Sequence, residues 1–325
     1  MVLSRLNNIT YIRFAATLMV VVYHSLCLYT NRWAYPDTPS IALYEHLAEI
    51  LNKIDMPAFV FISGYLFSRQ ITTRKKFQSR GEMIVYKLKR LLIPYLFWLV
   101  INLLLVPESL TLTKLLNGFN HLWFLPMLLQ MFIIAIITLP IWIKFSKTIS
   151  LLSLSSMLLF FFTAYYKGIN LPFPFVKTFL PIFYFGIITE RFQLLNFKKR
   201  FHPCMLPIAI AIYTLACIFL CTANPSIRDF VIKLSSYSVI FLTMSVLQTQ
   251  KDVSNKFVST IEKYSMGIYL IHHILIQYTL TNIIVLRFMG THYIVGPIFI
   301  FTLSLSVSLL LTFMLSKVPH LQCIV

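Results

Sequence analysis

The sequence predicts an all-α membrane protein, a polytopic bundle of about ten transmembrane helices with both termini on the inner side of the bilayer. Composition is the first reason. Of the 325 residues, 58% are hydrophobic and 12% are charged, whereas soluble domains have roughly 45–50% and roughly 25%. The mean hydropathy of +0.79 means that a lipid bilayer must surround part of the chain. A soluble enzyme, a secreted disulfide scaffold and a disordered protein are therefore excluded.

The length of the apolar stretches is the second reason. Ten of them approach the roughly 20 residues that a helix needs to span a bilayer. The first has no small-residue cleavage site after it, so we expect a retained helix rather than a signal peptide. The connecting segments are short, and we expect residues 1–325 to form a single membrane domain. The predicted spans are residues 9–29, 47–68, 88–106, 122–142, 149–166, 172–189, 204–222, 229–247, 265–286 and 293–316.

The positions of Lys and Arg predict the orientation, because positive charge accumulates in cytoplasmic loops. With the N-terminus inside, 19 of the 28 Lys and Arg residues lie on the inner side and 8 on the outer side, and Arg13 lies within the first span. The densest basic run is loop 69–90, and attraction to anionic lipid explains its residues 69–80. The net charge of +18 is therefore mainly a topology signal, and we expect no nucleic acid partner.

The cysteines predict neither a metal site nor a disulfide framework. They are odd in number, form no C-x-x-C pair and lie mostly in apolar runs. We therefore expect them to be small apolar core residues, and we expect no metal. The five are Cys27, Cys204, Cys217, Cys221 and Cys323.

Two ionisable residues inside the first span, Arg13 and His24, are candidates for function, because such groups are costly in a membrane. They are eleven residues apart, which corresponds to about 20° around a helix and roughly 16 Å along it. They therefore share one face. The alternative is that Arg13 reaches the inner headgroups and His24 bonds a backbone carbonyl. Glu49 and Asp55 either orient His24 or lie among headgroups, and the second interpretation is favoured.

Two further cations mark the beginning of the third span. Lys87 and Arg90 are three residues apart, just before Pro94-Tyr95, so on a helix they share a face. Such a pair is able to hold a phosphorylated cytosolic ligand through charge-assisted hydrogen bonds. In the second span, Ser63-Gly64 indicates close helix packing.

Taken in chain order, these segments resemble the acyltransferase-3 family of membrane O-acyltransferases, and the resemblance extends over the whole chain. The segments that carry it are Arg13 and His24 with ten residues between them, Phe59-Val60-Phe61-Ile62-Ser63-Gly64-Tyr65-Leu66, Lys87-x-x-Arg90 before Pro94-Tyr95, His121-Leu122-Trp123-Phe124-Leu125, Tyr184-Phe185-Gly186, and Ser265-Met266-Gly267-Ile268-Tyr269-Leu270-Ile271-His272.

The resemblance implies an enzyme of the bacterial cytoplasmic (inner) membrane that takes an acyl group, usually acetyl, from cytosolic acyl-CoA. The implied acceptor is a hydroxyl of a cell-surface or lipid-linked glycan. It also implies that His24 is catalytic, that Arg13 is its essential partner, and that Lys87 and Arg90 bind the donor. Lys87 stands where the family usually has Arg, and an ammonium lacks the guanidinium fork. We expect no fused extracytoplasmic domain of the kind that some members have, and we expect the bundle to complete the transfer.

We therefore predict a membrane O-acetyltransferase with acetyl-CoA as the donor. An imidazole suits the task of accepting a hydroxyl proton, and cations suit a negatively charged donor. His24 as a general base and His24 as a transient acyl carrier are both open, as are the acceptor sugar, the acyl chain and the oligomeric state. One alternative is a glycan or lipid transporter in which Arg13 and His24 line the path, although no pair of broken segments repeats between the halves. Another is a non-catalytic sensor or assembly protein.

Overall fold

The computed structural model is a bundle of helices. It describes residues 7–30, 32–33, 38–105, 109–169, 173–196, 204–219, 224–247 and 255–325, and no strand occurs in them. The α-helices are α1 (Asn7–Leu26), α2 (Ala42–Asn52), α3 (Asp55–Thr72), α4 (Arg80–Leu105), α5 (Leu112–Asn117), α6 (Phe124–Ile137), α7 (Leu139–Trp142), α8 (Lys147–Tyr166), α9 (Pro174–Arg191), α10 (Met205–Phe219), α11 (Pro225–Leu247), α12 (Lys256–Lys263), α13 (Ser265–Leu280), α14 (Ile283–Thr291) and α15 (Val295–Lys317).

The polytopic bundle is confirmed, since every predicted span is mostly helical where the chain is described. Within that part of the chain, seven stretches are long and apolar enough to cross a membrane, and α13 with α14 makes an eighth if the bent pair is one span. Helix α10 is a shorter apolar helix. The seven are Asn8–Tyr29, Ala42–Thr72, Arg80–Leu105, Asn120–Ile137, Lys147–Tyr166, Pro225–Leu247 and Val295–Lys317.

Some residues used in the sequence analysis lie outside the described residues. They are positions 106, 172 and 220–222 at the ends of predicted spans, and Arg5, Lys251 and residues 198–200 of the charge count.

The structure interrupts three predicted spans. Within the predicted span 265–286, helix α13 ends at Leu280, and the direction of α14 differs from that of α13 by 91°. The side chain of Asn282 accepts hydrogen bonds from the backbone N–H groups of Ile284 and Val285, at 2.9 and 3.3 Å. An asparagine in this position caps a new helix, which explains the break. The span 47–68 is interrupted between the end of α2 and the beginning of α3, and the span 122–142 is interrupted at Thr138, between α6 and α7.

Helices α3 and α9 cross closely because a glycine lies on each side of the contact. A Cβ atom at Gly64 would overlap the carbonyl oxygen of Phe183, and a Cβ atom at Gly186 would overlap that of Phe61. The two backbones therefore touch without a side chain between them, as in other close membrane helix pairs. The prediction that Ser63-Gly64 serves packing is confirmed for Gly64.

Helix α1 lies inside the bundle, whereas α8 and α15 lie at its surface. Contacts with α2, α3, α12, α13 and α15 surround α1. Large apolar side chains on the outer helices are exposed, for example Leu152 and Leu159 on α8 and Leu310 and Met314 on α15. This apolar outer surface is what a lipid-facing bundle requires.

The cysteines divide into two groups. Cys27 and Cys217 are buried, as expected of small core residues, whereas Cys204 and Cys323 are exposed. The expectation is wrong for the latter pair because Cys204 precedes α10 and Cys323 lies in the short turn Gln322–Ile324, both at segment ends. Cys221 lies outside the described residues.

Candidate functional site

Three of the four predicted site residues line one cavity. Arg13 on α1 and Lys87 and Arg90 on α4 line a cavity of about 100 Å³, together with residues of α3, α6 and α13. We call it the cationic cavity. The spacing of Lys87 and Arg90 brings both to one side of α4, and α1 places Arg13 opposite them.

Lys87 is the most enclosed of the three cations. It is 4% exposed, and its Nζ lies 3.7 Å from the ring centroid of Phe132 and 5.4 Å from that of Phe67. Among the described residues no carboxylate pairs with it. A buried ammonium held only by aromatic faces is under-compensated, so the cavity is suited to an anion.

Arg13 has a protein partner. Its Nη1 donates to Oε1 of Glu262 on α12 at 2.8 Å, and both side chains are partly buried. A guanidinium has five N–H donors, so this one bond leaves donors for a ligand. Arg90 is exposed, and its Nη1 donates to the hydroxyl of Tyr86 at 3.4 Å. The cavity therefore has a buried ammonium and two guanidinium groups.

His24 lies away from this cavity, towards the other end of α1. Its ring Nδ1 is 3.0 Å from the carbonyl oxygen of Val20 and 3.1 Å from Nε2 of His272. With Trp33, His121 and His273 it lines a second cavity of about 580 Å³, which we call the histidine cavity. The backbone bond considered in the sequence analysis is present, and it is accompanied by a side-chain bond.

Four histidines form one cluster at this cavity. The ring centroids of His24 and His272 are 5.0 Å apart and those of His24 and His273 are 5.1 Å apart. His121 stacks on His273 at 4.3 Å with 21° between the planes. Within the described residues, no group of three or more His, Cys, Asp or Glu side chains is arranged to hold a metal ion.

A thin partition separates the two cavities. The hydroxyl of Tyr269 donates to the carbonyl oxygen of His121, and the ring of His121 lies 3.0 Å from the carbonyl oxygen of Leu270 through Nε2. Tyr269 and Phe124, whose ring centroids are 5.5 Å apart, line the cationic cavity, whereas His121 lines the histidine cavity. The cavities therefore follow one another along the bundle, with Tyr269 and His121 between them.

The sequence analysis assigned no role to Glu262, His121, His272 or His273. The criterion that selected Arg13 and His24, an ionisable group inside a predicted span, applies equally to His272 and His273 and would have found them. No signal of that kind exists for Glu262, which meets Arg13 across 249 positions of the chain.

Neither acidic residue considered as a partner for His24 contacts it. Glu49 pairs with Arg32 at 2.6 Å and with Arg228 at 3.3 Å. Asp55 is 1% exposed, and its side chain accepts from the backbone N–H of Met56. The headgroup interpretation is wrong for Asp55 because the protein encloses it at the beginning of α3.

Comparison with known proteins identifies the family. No curated protein and no solved structure matches the chain. The acyltransferase-3 family model, described as "Acyltransferase domain", matches residues 6–317. The match covers nearly the whole chain, including the helices that form both cavities. The protein therefore belongs to the acyltransferase-3 family and is a membrane acyltransferase.

Proposed function

We propose that the protein is an O-acetyltransferase that moves an acetyl group from cytosolic acetyl-CoA to a hydroxyl of a cell-surface or lipid-linked glycan. The observation that supports it is the succession of two chemically different cavities along the bundle. One is lined by Arg13, Lys87 and Arg90, and the other by His24 and three further histidines. The first suits an anionic donor, and the second suits a hydroxyl that must lose a proton.

The donor phosphates bind at the cationic cavity. Charge-assisted hydrogen bonds to the phosphate oxygens come from Arg13, Lys87 and Arg90. Arg13 therefore assists His24 by holding the donor, without contacting the acceptor hydroxyl. The pantetheine arm of CoA separates the phosphates from the thioester by many rotatable bonds. The cations and the catalytic imidazole can therefore act on one donor molecule although they line different cavities. No metal takes part in this proposal.

His24 accepts the hydroxyl proton of the acceptor. As the proton moves to His24, the hydroxyl oxygen attacks the thioester carbonyl carbon, a C–O bond forms and the C–S bond breaks. CoA leaves as the thiolate and takes up the proton. An acyl group carried transiently on His24 would divide the same transfer into two steps.

The acceptor occupies the histidine cavity. Trp33 and Asn102, which line it, offer an aromatic face and amide groups of the kind that orient a polar ligand in a mostly apolar pocket. Trp123 also lines a neighbouring cavity of about 390 Å³, whose wall includes Lys177, the ion pair of Lys53 with Asp229, and many aromatic side chains. This neighbouring cavity suits the anionic and apolar parts of a lipid-linked acceptor.

The experiment that tests the function uses purified protein in nanodiscs with radiolabelled acetyl-CoA. The enzyme releases CoA and transfers label to an acceptor glycan extract, whereas a transporter or a sensor protein releases none. Membranes without the protein give the background. Absence of CoA release by folded protein that binds acetyl-CoA would refute the proposal.

We also propose that residues 1–325 act as one unit in the bacterial inner membrane with both termini in the cytoplasm. Loop 69–90 is then cytosolic, and the segment before α6 is external. In a cysteine-free background, Lys114→Cys should react with an impermeant thiol reagent in intact cells, whereas Lys75→Cys should react only after lysis. The opposite pattern would overturn this orientation.

A further inference from the structure

The hydrogen bonds of His272 fix which of its nitrogens carries the proton. The residue is fully buried, and its Nδ1 lies 2.8 Å from the carbonyl oxygen of Ile268. A carbonyl oxygen only accepts, so Nδ1 must be the donor. A neutral imidazole has one N–H. Nε2 of His272 therefore has a lone pair, and this lone pair faces Nδ1 of His24 at 3.1 Å.

The same reasoning fixes the proton of His24. Its Nδ1 faces two acceptors, the carbonyl oxygen of Val20 at 3.0 Å and Nε2 of His272. Nδ1 must therefore carry the hydrogen and share it between them, which leaves the lone pair on Nε2. If Nε2 of His272 donated to His24 instead, neither Nδ1 atom would carry a hydrogen. Nδ1 of His272 would then present a lone pair to the Ile268 carbonyl oxygen, and Nδ1 of His24 would present one to the Val20 carbonyl oxygen, and both contacts would be repulsive.

We propose that His272 is a positioning residue that holds His24 in the Nδ1–H tautomer, so that Nε2 of His24 is the base of the transfer. This inference rests on the proposed function of His24. The Val20 carbonyl lies one helical turn before His24 on the same helix. A bond to this carbonyl alone does not prevent rotation of the ring about the side-chain bonds of His24. A second acceptor on another helix, α13, fixes the ring plane as well as the tautomer.

The reaction leaves His272 neutral. When Nε2 of His24 takes the acceptor proton, the ring becomes an imidazolium, and its Nδ1–H forms charge-assisted bonds to Val20 and His272. The proton stays on Nδ1 of His24, because its transfer to Nε2 of His272 would give up the bond to the Val20 carbonyl and set a lone pair of His24 against that oxygen. The two other histidines of the cluster do not replace it, since neither His121 nor His273 hydrogen-bonds to His24 among the described residues.

Two substitutions at this position separate positioning from packing. His272→Phe keeps a ring of similar size but removes the acceptor, and we expect turnover to fall about 10- to 100-fold, as when a partner that orients a metal-bound imidazole is removed. His272→Gln places an amide oxygen near the position of Nε2 and should recover most of the loss. The dissociation constant of acetyl-CoA should not change in either variant. Thr279→Val on the same helix, which removes a hydroxyl bonded to the Leu275 carbonyl, should match the unmodified protein.

A spectroscopic measurement tests the tautomer without relying on activity. Solid-state NMR of ¹⁵N-histidine-labelled protein in bilayers, with the His24 signals assigned by their loss in His24→Gln, should show protonated Nδ1 and unprotonated Nε2. In His272→Phe the same signals should show a mixture of tautomers. A protonated Nε2 in the unmodified protein, an unchanged tautomer in His272→Phe, or equal turnover of the Phe and Gln variants would overturn the inference. If the unmodified protein releases no CoA, the proposed function fails, and the tautomer measurement still decides the role of His272.

Discussion

The cationic cavity and the histidine cavity are built on opposite principles. In the first, charged groups are held loosely: Lys87 by aromatic faces, Arg13 by one carboxylate and Arg90 by one hydroxyl. In the second, the rings of His24 and His272 are bonded to backbone carbonyls and to each other. Loosely held charges suit recognition of a mobile anion, and fixed rings suit the transfer of one proton. Substitutions at the cationic cavity should therefore change donor binding, whereas substitutions at the histidine cavity should change turnover.

The largest effect should come from His24→Gln. Glutamine keeps a donor and an acceptor but cannot take up a proton near neutral pH. General-base assistance is worth about 10²–10⁴-fold in rate, so we expect turnover to fall at least about a hundredfold. Binding of acetyl-CoA, measured by calorimetry, should be unchanged because the cationic cavity is untouched. Near-normal turnover by a well-folded variant would remove His24 from the mechanism.

A change at the other cavity should give the opposite pattern. Hydrogen bonds to charged groups are worth about 1.5–3 kcal/mol, so Arg90→Ala should weaken acetyl-CoA binding about 10- to 150-fold. Turnover at saturating donor should change little. Arg74→Ala is the matched control, since this exposed arginine lies outside the cavity and its charge is explained by lipid. Equal losses in the two variants, or no loss in either, would contradict a specific donor site.

Most of the fold could be predicted from the sequence because hydropathy acts locally. Apolar stretches of the right length predicted the spans, whereas the orientation expected from charge alternation stays a prediction. The break before α14 could not be predicted from hydropathy, because one hydrogen-bonding side chain, Asn282, ends a helix within an apolar stretch. Cap signals of this kind are visible in a sequence only when the apolar pattern also ends there.

The candidate site was predicted only in part, for a physical reason. The helical repeat relates Arg13 to His24 and Lys87 to Arg90, because each pair lies on one helix. Contacts between helices have no such repeat. The pair Arg13 and Glu262 and the pair His24 and His272 join α1 to helices more than two hundred residues away. The roles of these residues in the reaction stay predictions until the variants are measured.

The region between α3 and α9 offers a test of the scaffold that positions both cavities. Gly64→Ala would place a methyl group against the carbonyl oxygen of Phe183, and overpacking of this kind costs about 1–3 kcal/mol. We expect a lower unfolding temperature in detergent and a loss of both donor binding and turnover. Gly81→Ala is the control, because its Cβ would meet only the Ser79 side chain at 3.8 Å. Unchanged stability of Gly64→Ala would show that the helices can separate at little cost.

The smallest effect should come from Glu262, whose carboxylate lies 2.8 Å from the Arg13 guanidinium. Partly exposed ion pairs contribute about 0–1 kcal/mol, so loss of the charge should barely change stability. It should, however, leave Arg13 more available to a donor phosphate. Because 1.4 kcal/mol corresponds to tenfold in affinity, Glu262→Gln should tighten acetyl-CoA binding by up to about fivefold.

The direction of this change is more informative than its size. Turnover at saturating donor should stay the same, and the gain in affinity should shrink as salt is added, because screening weakens interactions between exposed charges. Glu82→Gln is the matched control, since this exposed carboxylate accepts from the backbone N–H of Gln78 and does not line the cavity. Weaker binding in Glu262→Gln alone would mean that the carboxylate holds Arg13 in place for the donor instead of competing with it. The side chains of the cationic cavity would then be held in fixed positions, as the imidazole rings of the histidine cavity are, and the contrast between the two cavities would be lost.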